Sequence, residues 1–131
     1  MSKLFLDTNL IVRYLLGDIE SQKNLVVDLI DQASTKKNNL IILPEVLIEL
    51  NYVLRHHYNL SKELIGLSMG TILKISVIQV WGVEDFEQAL NIYQKHNISL
   101  EDAYFISCCL QNKLKFISFD KKALGVWEKL Q

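Results

Sequence analysis

The chain has 131 residues, half of them hydrophobic, with one proline and five glycines. This length suits one domain with a sizeable core, and the composition excludes a disordered segment or a long linker. The formal net charge of −1 lacks the basic excess that is usual in nucleic-acid-binding domains. We therefore expect a single folded domain over residues 1–131, and the charge alone does not indicate a nucleic acid as partner.

Strand-like and helical patterns alternate along the chain, which predicts an α/β domain with a mainly parallel sheet. Gly17 ends the first helix, Pro44 opens the third, and Ser61 and Ser99 are expected N-caps. The predicted strands are residues 3–6, 40–43, 76–80 and 116–119. The predicted helices are residues 8–16, 20–34, 44–57, 62–74, 84–96 and 100–110.

No signal for a membrane or a secretory route is present in the sequence. The apolar runs are shorter than the roughly 18 residues of a membrane span, and Asp7 interrupts the first of them. We expect a cytoplasmic protein with no membrane contact. Cys108 and Cys109 are adjacent in a helical apolar pattern, which suits neither a disulfide nor a zinc site and predicts core thiols.

Two aspartates follow strand-like runs. Asp7 ends the first run and Asp120 ends the last one. In a doubly wound sheet both would lie at the carboxyl ends of strands, where sites form at a reversal of strand order. The alternative is that each is only the N-cap of the following helix, and both interpretations remain open.

Glu49 lies in the helix predicted after Pro44. At 100° per residue it falls about 40° outside the apolar face, whose edge is Val53, so it should border the core. Glu45 falls about another 40° further out and is the weaker candidate. A boundary glutamate without a function fits the same arithmetic.

Asp102 begins a helix that is apolar almost all round, and such helices are normally buried. One interpretation is a capping box with Ser99. The other is a partly buried carboxylate, which requires a partner because an isolated buried charge is costly. No lysine or arginine is close to Asp102 in sequence.

A divalent cation would be the partner that makes such a carboxylate cluster tolerable, because clustered carboxylates otherwise raise each other's pKa. Oxygen ligands without a histidine or cysteine motif favour Mg²⁺ or Mn²⁺ over zinc. Such an ion suits phosphodiester hydrolysis, since it activates water and holds phosphate oxygens. The three histidines are expected at the surface and not as catalysts: His56, His57 and His96.

The sequence resembles PIN domains of the VapC toxin type. The resemblance covers nearly the whole chain and rests on four short motifs in the family's order. They are Asp7-Thr8-Asn9 continuing to Asp18, Pro44 to Leu50 with Val53-Leu54-Arg55, Ser99 to Ala103, and Ile117 to Asp120. The fold it implies is a three-layer α/β/α sandwich on a mainly parallel sheet.

The resemblance also implies an activity and its residues. The activity is that of an Mg²⁺-dependent endoribonuclease toxin, forming a homodimer and inhibited by a small antitoxin. Asp7 and Asp102 would be the principal metal ligands, completed by Glu49 and Asp120. Asn9 and Ser118 match polar positions that help to hold the site. The candidates for contacts with RNA phosphates are Arg13, Arg55, Lys121 and Lys122.

Other interpretations of the acidic residues are weaker or remain open. A receiver-like signalling domain requires paired acids after the first strand, where Thr8 and Asn9 follow Asp7. A phosphatase with an aspartate nucleophile requires Asp-x-Asp, and Asn9 occupies the second place. A non-catalytic interaction protein with the same fold remains open. Glu101 places an extra acid beside Asp102, where many relatives carry an apolar or aromatic residue.

Overall fold

A computed structural model describes residues 2–131, which form two compact units. The first unit ends at Trp81 and the second begins at Gly82. The first contains β1 (Ser2–Phe5), α1 (Thr8–Leu16), α2 (Glu20–Ser34), β2 (Asn38–Ile42), α3 (Pro44–His56), α4 (Lys62–Leu73) and β3 (Ile78–Val80). The second contains α5 (Val83–Lys95), α6 (Leu100–Asn112) and α7 (Lys121–Lys129).

The sheet of the first unit is parallel, with β2 between β1 and β3. Leu40 pairs with Leu4 on one side and with Ile78 on the other. Side chains alternate between the faces of a strand, yet Leu40, Ile41 and Ile42 are all buried, so both faces of β2 are covered. Parallel sheets of α/β proteins are buried in this way, and the predicted fold class is confirmed.

Among the strands of residues 2–131 the order β1-β2-β3 follows the chain and does not reverse. Sites in doubly wound sheets form where the strand order reverses. A site at a reversal of strand order is therefore not what places Asp7. Its position at the carboxyl end of the edge strand β1 comes from the pairing of β1 with β2.

The prediction of a strand at residues 116–119 is wrong. In the structure these residues have no regular secondary structure. Phe116 is buried, but Ile117 and Phe119 are fully or nearly fully exposed. A short apolar run indicates extended backbone, while a strand also requires a hydrogen-bonded neighbour, which sequence pattern does not supply. Asp120 thus follows an irregular segment, and it begins α7, a helix that the sequence analysis did not predict.

Local capping signals explain why the helices begin and end where they do. Asp7 is extended and its carboxylate accepts from the Thr8 amide, which starts α1. Gly17 ends the same helix in the left-handed conformation, with φ of 64°. Ser61 caps α4 by accepting from the Leu64 amide at 3.2 Å. The predicted bounds of α1 and α2 are confirmed.

The second unit is helical, and α5 packs along α6. The buried Ser107 hydroxyl of α6 lies 2.7 Å from both the Asp85 carbonyl oxygen and Gln88 Oε1 of α5. Cys108 and Cys109 are free and half-buried, so they are less enclosed than the predicted core thiols. Burial raises the pKa of the Cys108 thiol, which disfavours its reactive thiolate.

Two of the three histidines lie at the surface as expected. His56 and His57 are exposed, and His96 is half-buried. In the part of the chain that the structure describes, no helix combines the length and apolar character needed to cross a membrane.

Replacing Gly17 with alanine should destabilise the protein by about 1–2 kcal/mol, because an L side chain is strained at a left-handed φ. Gly125→Ala is the matched control. Its added Cβ would meet no atom within 4 Å in α7, so the change should stabilise by up to about 1 kcal/mol. Urea unfolding of both variants measures these effects. Destabilisation by both would contradict this account of Gly17.

Candidate functional site

Asp7 lies one residue beyond Leu6, at the carboxyl end of β1. Its Oδ1 accepts a hydrogen bond of 2.7 Å from the Thr8 amide, so the predicted capping role is confirmed. The side chain is exposed. The cap uses one of the two carboxylate oxygens, and the other can still bind a cation.

Asp120 also caps a helix with its carboxylate, at the start of α7. Its Oδ1 accepts from the amides of Lys122 at 3.0 Å and Ala123 at 3.1 Å. The Ser118 hydroxyl in turn accepts from the Asp120 amide at 3.0 Å. Ser118 thereby holds the backbone that carries Asp120. This hydrogen bond is a way in which Ser118 could support the site, as predicted.

Asp102 is half-buried in the first turn of α6, between its exposed neighbour Glu101 and the fully buried Ala103. The Ser99 hydroxyl accepts from the Asp102 amide at 3.0 Å. Ser99 is therefore the N-cap, as predicted. The cap engages the backbone of Asp102, and this hydrogen bond leaves both of its carboxylate oxygens unused.

Glu49 lies in the second turn of α3. That helix begins one residue after Leu43, beyond the carboxyl end of β2, and α3 packs against α1. Since β1 and β2 are parallel neighbours, α1 and α3 both start at the same edge of the sheet. Glu45 and Glu49 are both exposed, so exposure does not support the predicted preference for Glu49.

The four acids are divided between the units. Asp7 and Glu49 belong to the first unit, and Asp102 and Asp120 belong to the second. Within residues 2–131, no group of three or more His, Cys, Asp or Glu side chains is arranged to hold a metal ion. The gathering of all four carboxylates around one ion therefore stays a prediction. Their chemistry fits Mg²⁺, which prefers oxygen ligands and retains several waters.

Thr8 was not a candidate in the sequence analysis. It follows Asp7 directly and is buried, and its Oγ1 has no hydrogen-bond partner among residues 2–131. A buried hydroxyl without a partner is uncommon, because losing its hydrogen bonds to water costs free energy. No sequence signal distinguishes Thr8, since the missing partner depends on how α1 packs.

Arg13 is held within the first unit. Its Nε donates to Gln22 Oε1 at 2.9 Å, and its Nη1 pairs with Asp18 at 3.2 Å and donates to the Tyr58 hydroxyl at 3.2 Å. The hydrogen bond with Tyr58 is the main cause that raises the pKa of Arg13. These contacts involve Nε and Nη1, which leaves the Nη2 donors for a phosphate.

The other candidate phosphate contacts are exposed: Arg55 near the end of α3, and Lys121 and Lys122 at the start of α7. Cations are unfavourable in the first turn of a helix because of the helix dipole. Lys121 and Lys122 occupy such positions, directly after the acid that caps α7.

Residues 4–126 match the model of the PIN domain family. The chain belongs to the PIN domain family. PIN domains are commonly nucleases, they generally bind divalent metals, and the nucleases among them bind RNA. The match includes all four acids, together with Asn9 and Ser118. Among proteins of curated function, none matches the chain.

Replacing Thr8 with valine should raise the free energy of unfolding by about 1 kcal/mol, because the substitution removes a buried unpaired hydroxyl at nearly constant shape. Thr71→Val is the matched control, since the Thr71 hydroxyl donates to the Leu67 carbonyl oxygen on an exposed helix surface. We expect little change there. Urea unfolding gives both values, and a clear loss of stability in Thr8→Val would show that this hydroxyl has a partner in solution.

Proposed function

We propose that this PIN domain is an Mg²⁺-dependent endoribonuclease and the toxin of a toxin–antitoxin pair. The supporting observation is the family match over residues 4–126, which contains four acids at helix starts or on a helix that starts at the sheet edge. Water would be the nucleophile, without a covalent intermediate. No serine, cysteine or histidine arrangement of comparable strength suggests another nucleophile.

In this proposal Asp7 and Asp102 hold the metal ion, and Glu49 and Asp120 complete its surroundings directly or through water. Mn²⁺ could replace Mg²⁺, because both prefer oxygen ligands. When bound, the ion supplies positive charge that favours ionisation of water and offsets the charge developing on the leaving group. Asn9 and Ser118 would support the site as polar neighbours of the acids. Ser118 does this by accepting a hydrogen bond from the Asp120 amide.

The chain's own residues would place the RNA. The N-termini of α1 and α7 carry partial positive charge, which attracts phosphate groups. Lys121 and Lys122 add formal charge at the start of α7, and Arg13 can donate from Nη2. Asp7 and Asp120 keep their capping oxygens on backbone amides, which fixes the direction of each carboxylate.

Asp7→Asn and Asp102→Asn should each lower the rate of RNA cleavage by at least about 100-fold, because each removes a negative charge that holds the metal ion. Asparagine caps helices as well as aspartate does, so Asp7→Asn should stay folded. The matched control is Glu101→Gln, an exposed neighbour of Asp102 that is proposed to lie outside the site. The assay compares single-stranded and structured RNA with Mg²⁺ and with a chelator.

Two results would contradict this mechanism. One is cleavage that continues unchanged in the chelator. The other is cleavage by Asp7→Asn or Asp102→Asn at the wild-type rate. If Glu101→Gln lowers the cleavage rate as much as Asp102→Asn does, Glu101 also belongs to the site and the proposed set of acids is wrong.

The toxin role adds partners to the enzyme. We propose a cytoplasmic homodimer whose active-site groove receives a segment of a small antitoxin. The VapC-like motifs support this role, in particular Asp7-Thr8-Asn9 with the following residues to Asp18. A neighbouring reading frame that encodes a small protein would supply the antitoxin.

Induced expression of the wild-type chain should arrest growth, and Asp102→Asn should not, because the proposed arrest depends on RNA cleavage. Colony counts after induction measure the effect, with immunoblots to match protein amounts. Co-expression of the neighbouring small protein should restore growth. Arrest by Asp102→Asn equal to that of wild type would contradict a toxin that acts through cleavage.

The second candidate is a non-catalytic PIN-fold interaction protein. The observation that favours it is that no three potential metal ligands among residues 2–131 are arranged around a common ion position. The cleavage assay separates the two candidates, because an interaction protein would cleave no RNA under any metal condition.

A further inference from the structure

The exposed side of α3 carries two aromatic rings, Tyr52 and His56, which follow Glu49 along the helix. Tyr52 is 58% exposed, and its ring centroid lies 4.5 Å from that of the exposed His56, with an angle of 42° between the planes. The His57 ring lies 6.2 Å from Tyr52, at 69°. An exposed ring pair of this kind presents π surface to solvent.

These rings lie on the same side of the helix as Glu49. At 100° per residue, Tyr52 and His56 fall within about 60° of it. With a rise of 1.5 Å per residue, they lie roughly 4.5 Å and 10.5 Å further along the helix axis. Stacked nucleotides of one strand rise about 3.4 Å each, so the rings are within a few nucleotides of Glu49.

The charge around the rings favours a polyanion. Between Glu49 and Glu63 the sequence has no acidic residue, but it contains Arg55, His56, His57 and Lys62. This local distribution differs from the net charge of −1 for the whole chain.

The fold brings two of these cations together. The Leu60 amide donates to the Leu54 carbonyl oxygen at 3.0 Å, which turns the chain back against the end of α3. Burial, and then the positive charge of Arg55, lower the pKa of Lys62. The two cations therefore lie near each other, and a phosphate beside them would be attracted to both.

We infer that Tyr52 and His56 form a stacking subsite for an unpaired base of the RNA substrate, with Arg55 and Lys62 beside its phosphate. The inference rests on the proposed ribonuclease function. Aromatic side chains that flank a basic surface bind single-stranded nucleic acid, because every base has a face that can stack. A paired base is already stacked and hydrogen-bonded within its duplex, so the subsite would select unpaired RNA beside the acidic site.

The test measures binding separately from cleavage, in a chain made inactive by Asp102→Asn. Fluorescence anisotropy records the affinity for a labelled single-stranded RNA and for a duplex of the same length, at constant salt and Mg²⁺. Adding Tyr52→Ala should weaken binding of the single strand by roughly 5- to 150-fold, the range for loss of one stacked base. Binding of the duplex should be unchanged.

Two matched variants support the interpretation. Tyr52→Phe keeps the ring and should bind single-stranded RNA within about twofold of the background protein. Leu67→Ala removes a 70% exposed apolar side chain from α4 and should have no effect. A loss in Tyr52→Phe equal to that in Tyr52→Ala would overturn stacking in favour of a contact made by the hydroxyl.

Other outcomes also overturn the subsite. If Tyr52→Ala binds RNA as tightly as the background protein does, no base stacks on Tyr52. If Tyr52→Ala loses equal affinity for the single strand and the duplex, Tyr52 contacts the RNA backbone. If Tyr52→Ala keeps RNA affinity but no longer retains a co-expressed small protein, these rings bind protein. Wild-type protein that cleaves no RNA refutes the proposed function, whereas cleavage with unchanged Tyr52→Ala affinity refutes only the subsite.

Discussion

The parallel pairing of β1 with β2 is the constraint on which the placement of Asp7 and Glu49 depends. The ladder continues to Leu6, whose amide donates to the Ile41 carbonyl oxygen at 2.9 Å. The sheet therefore fixes the residue immediately before Asp7. Because parallel neighbours end at the same edge, α1 and α3 begin there together, and Asp7 and Glu49 are carried by those two helices.

Capping and metal binding are compatible roles for the same carboxylate. Asp7 and Asp120 each use Oδ1 to satisfy backbone amides, and a carboxylate has a second oxygen. The cap also limits the directions that the side chain can take, which lowers the entropic cost of binding an ion. Observed capping is thus no argument against function. Capping explains how exposed carboxylates can be oriented without hydrogen bonds from buried side chains.

The sequence predicted best what depends on neighbouring residues alone. Gly17 and Ser61 mark helix boundaries through their own conformations and hydrogen bonds, and the structure agrees with both. The strand at 116–119 could not be predicted reliably, because a strand depends on a partner elsewhere in the chain. The preference for Glu49 over Glu45 stays a prediction, because exposure does not separate the two side chains. A helical-wheel angle measures direction from an apolar face, and both side chains are exposed whatever that angle.

The net charge of a whole chain is a poor guide to whether its surface can bind a phosphate, and the reason is electrostatic range. At physiological salt a charge is screened within about 8 Å, so a phosphate responds to its immediate neighbours and not to the sum over the protein. The chain has 14 basic and 15 acidic residues, and four of those acids are the proposed metal ligands. With these four set aside, the balance of the remaining residues is positive. A nuclease that holds its metal ion with carboxylates can therefore have a negative net charge and still present local basic surface to RNA, which is the part that we propose for Arg55 and Lys62 here.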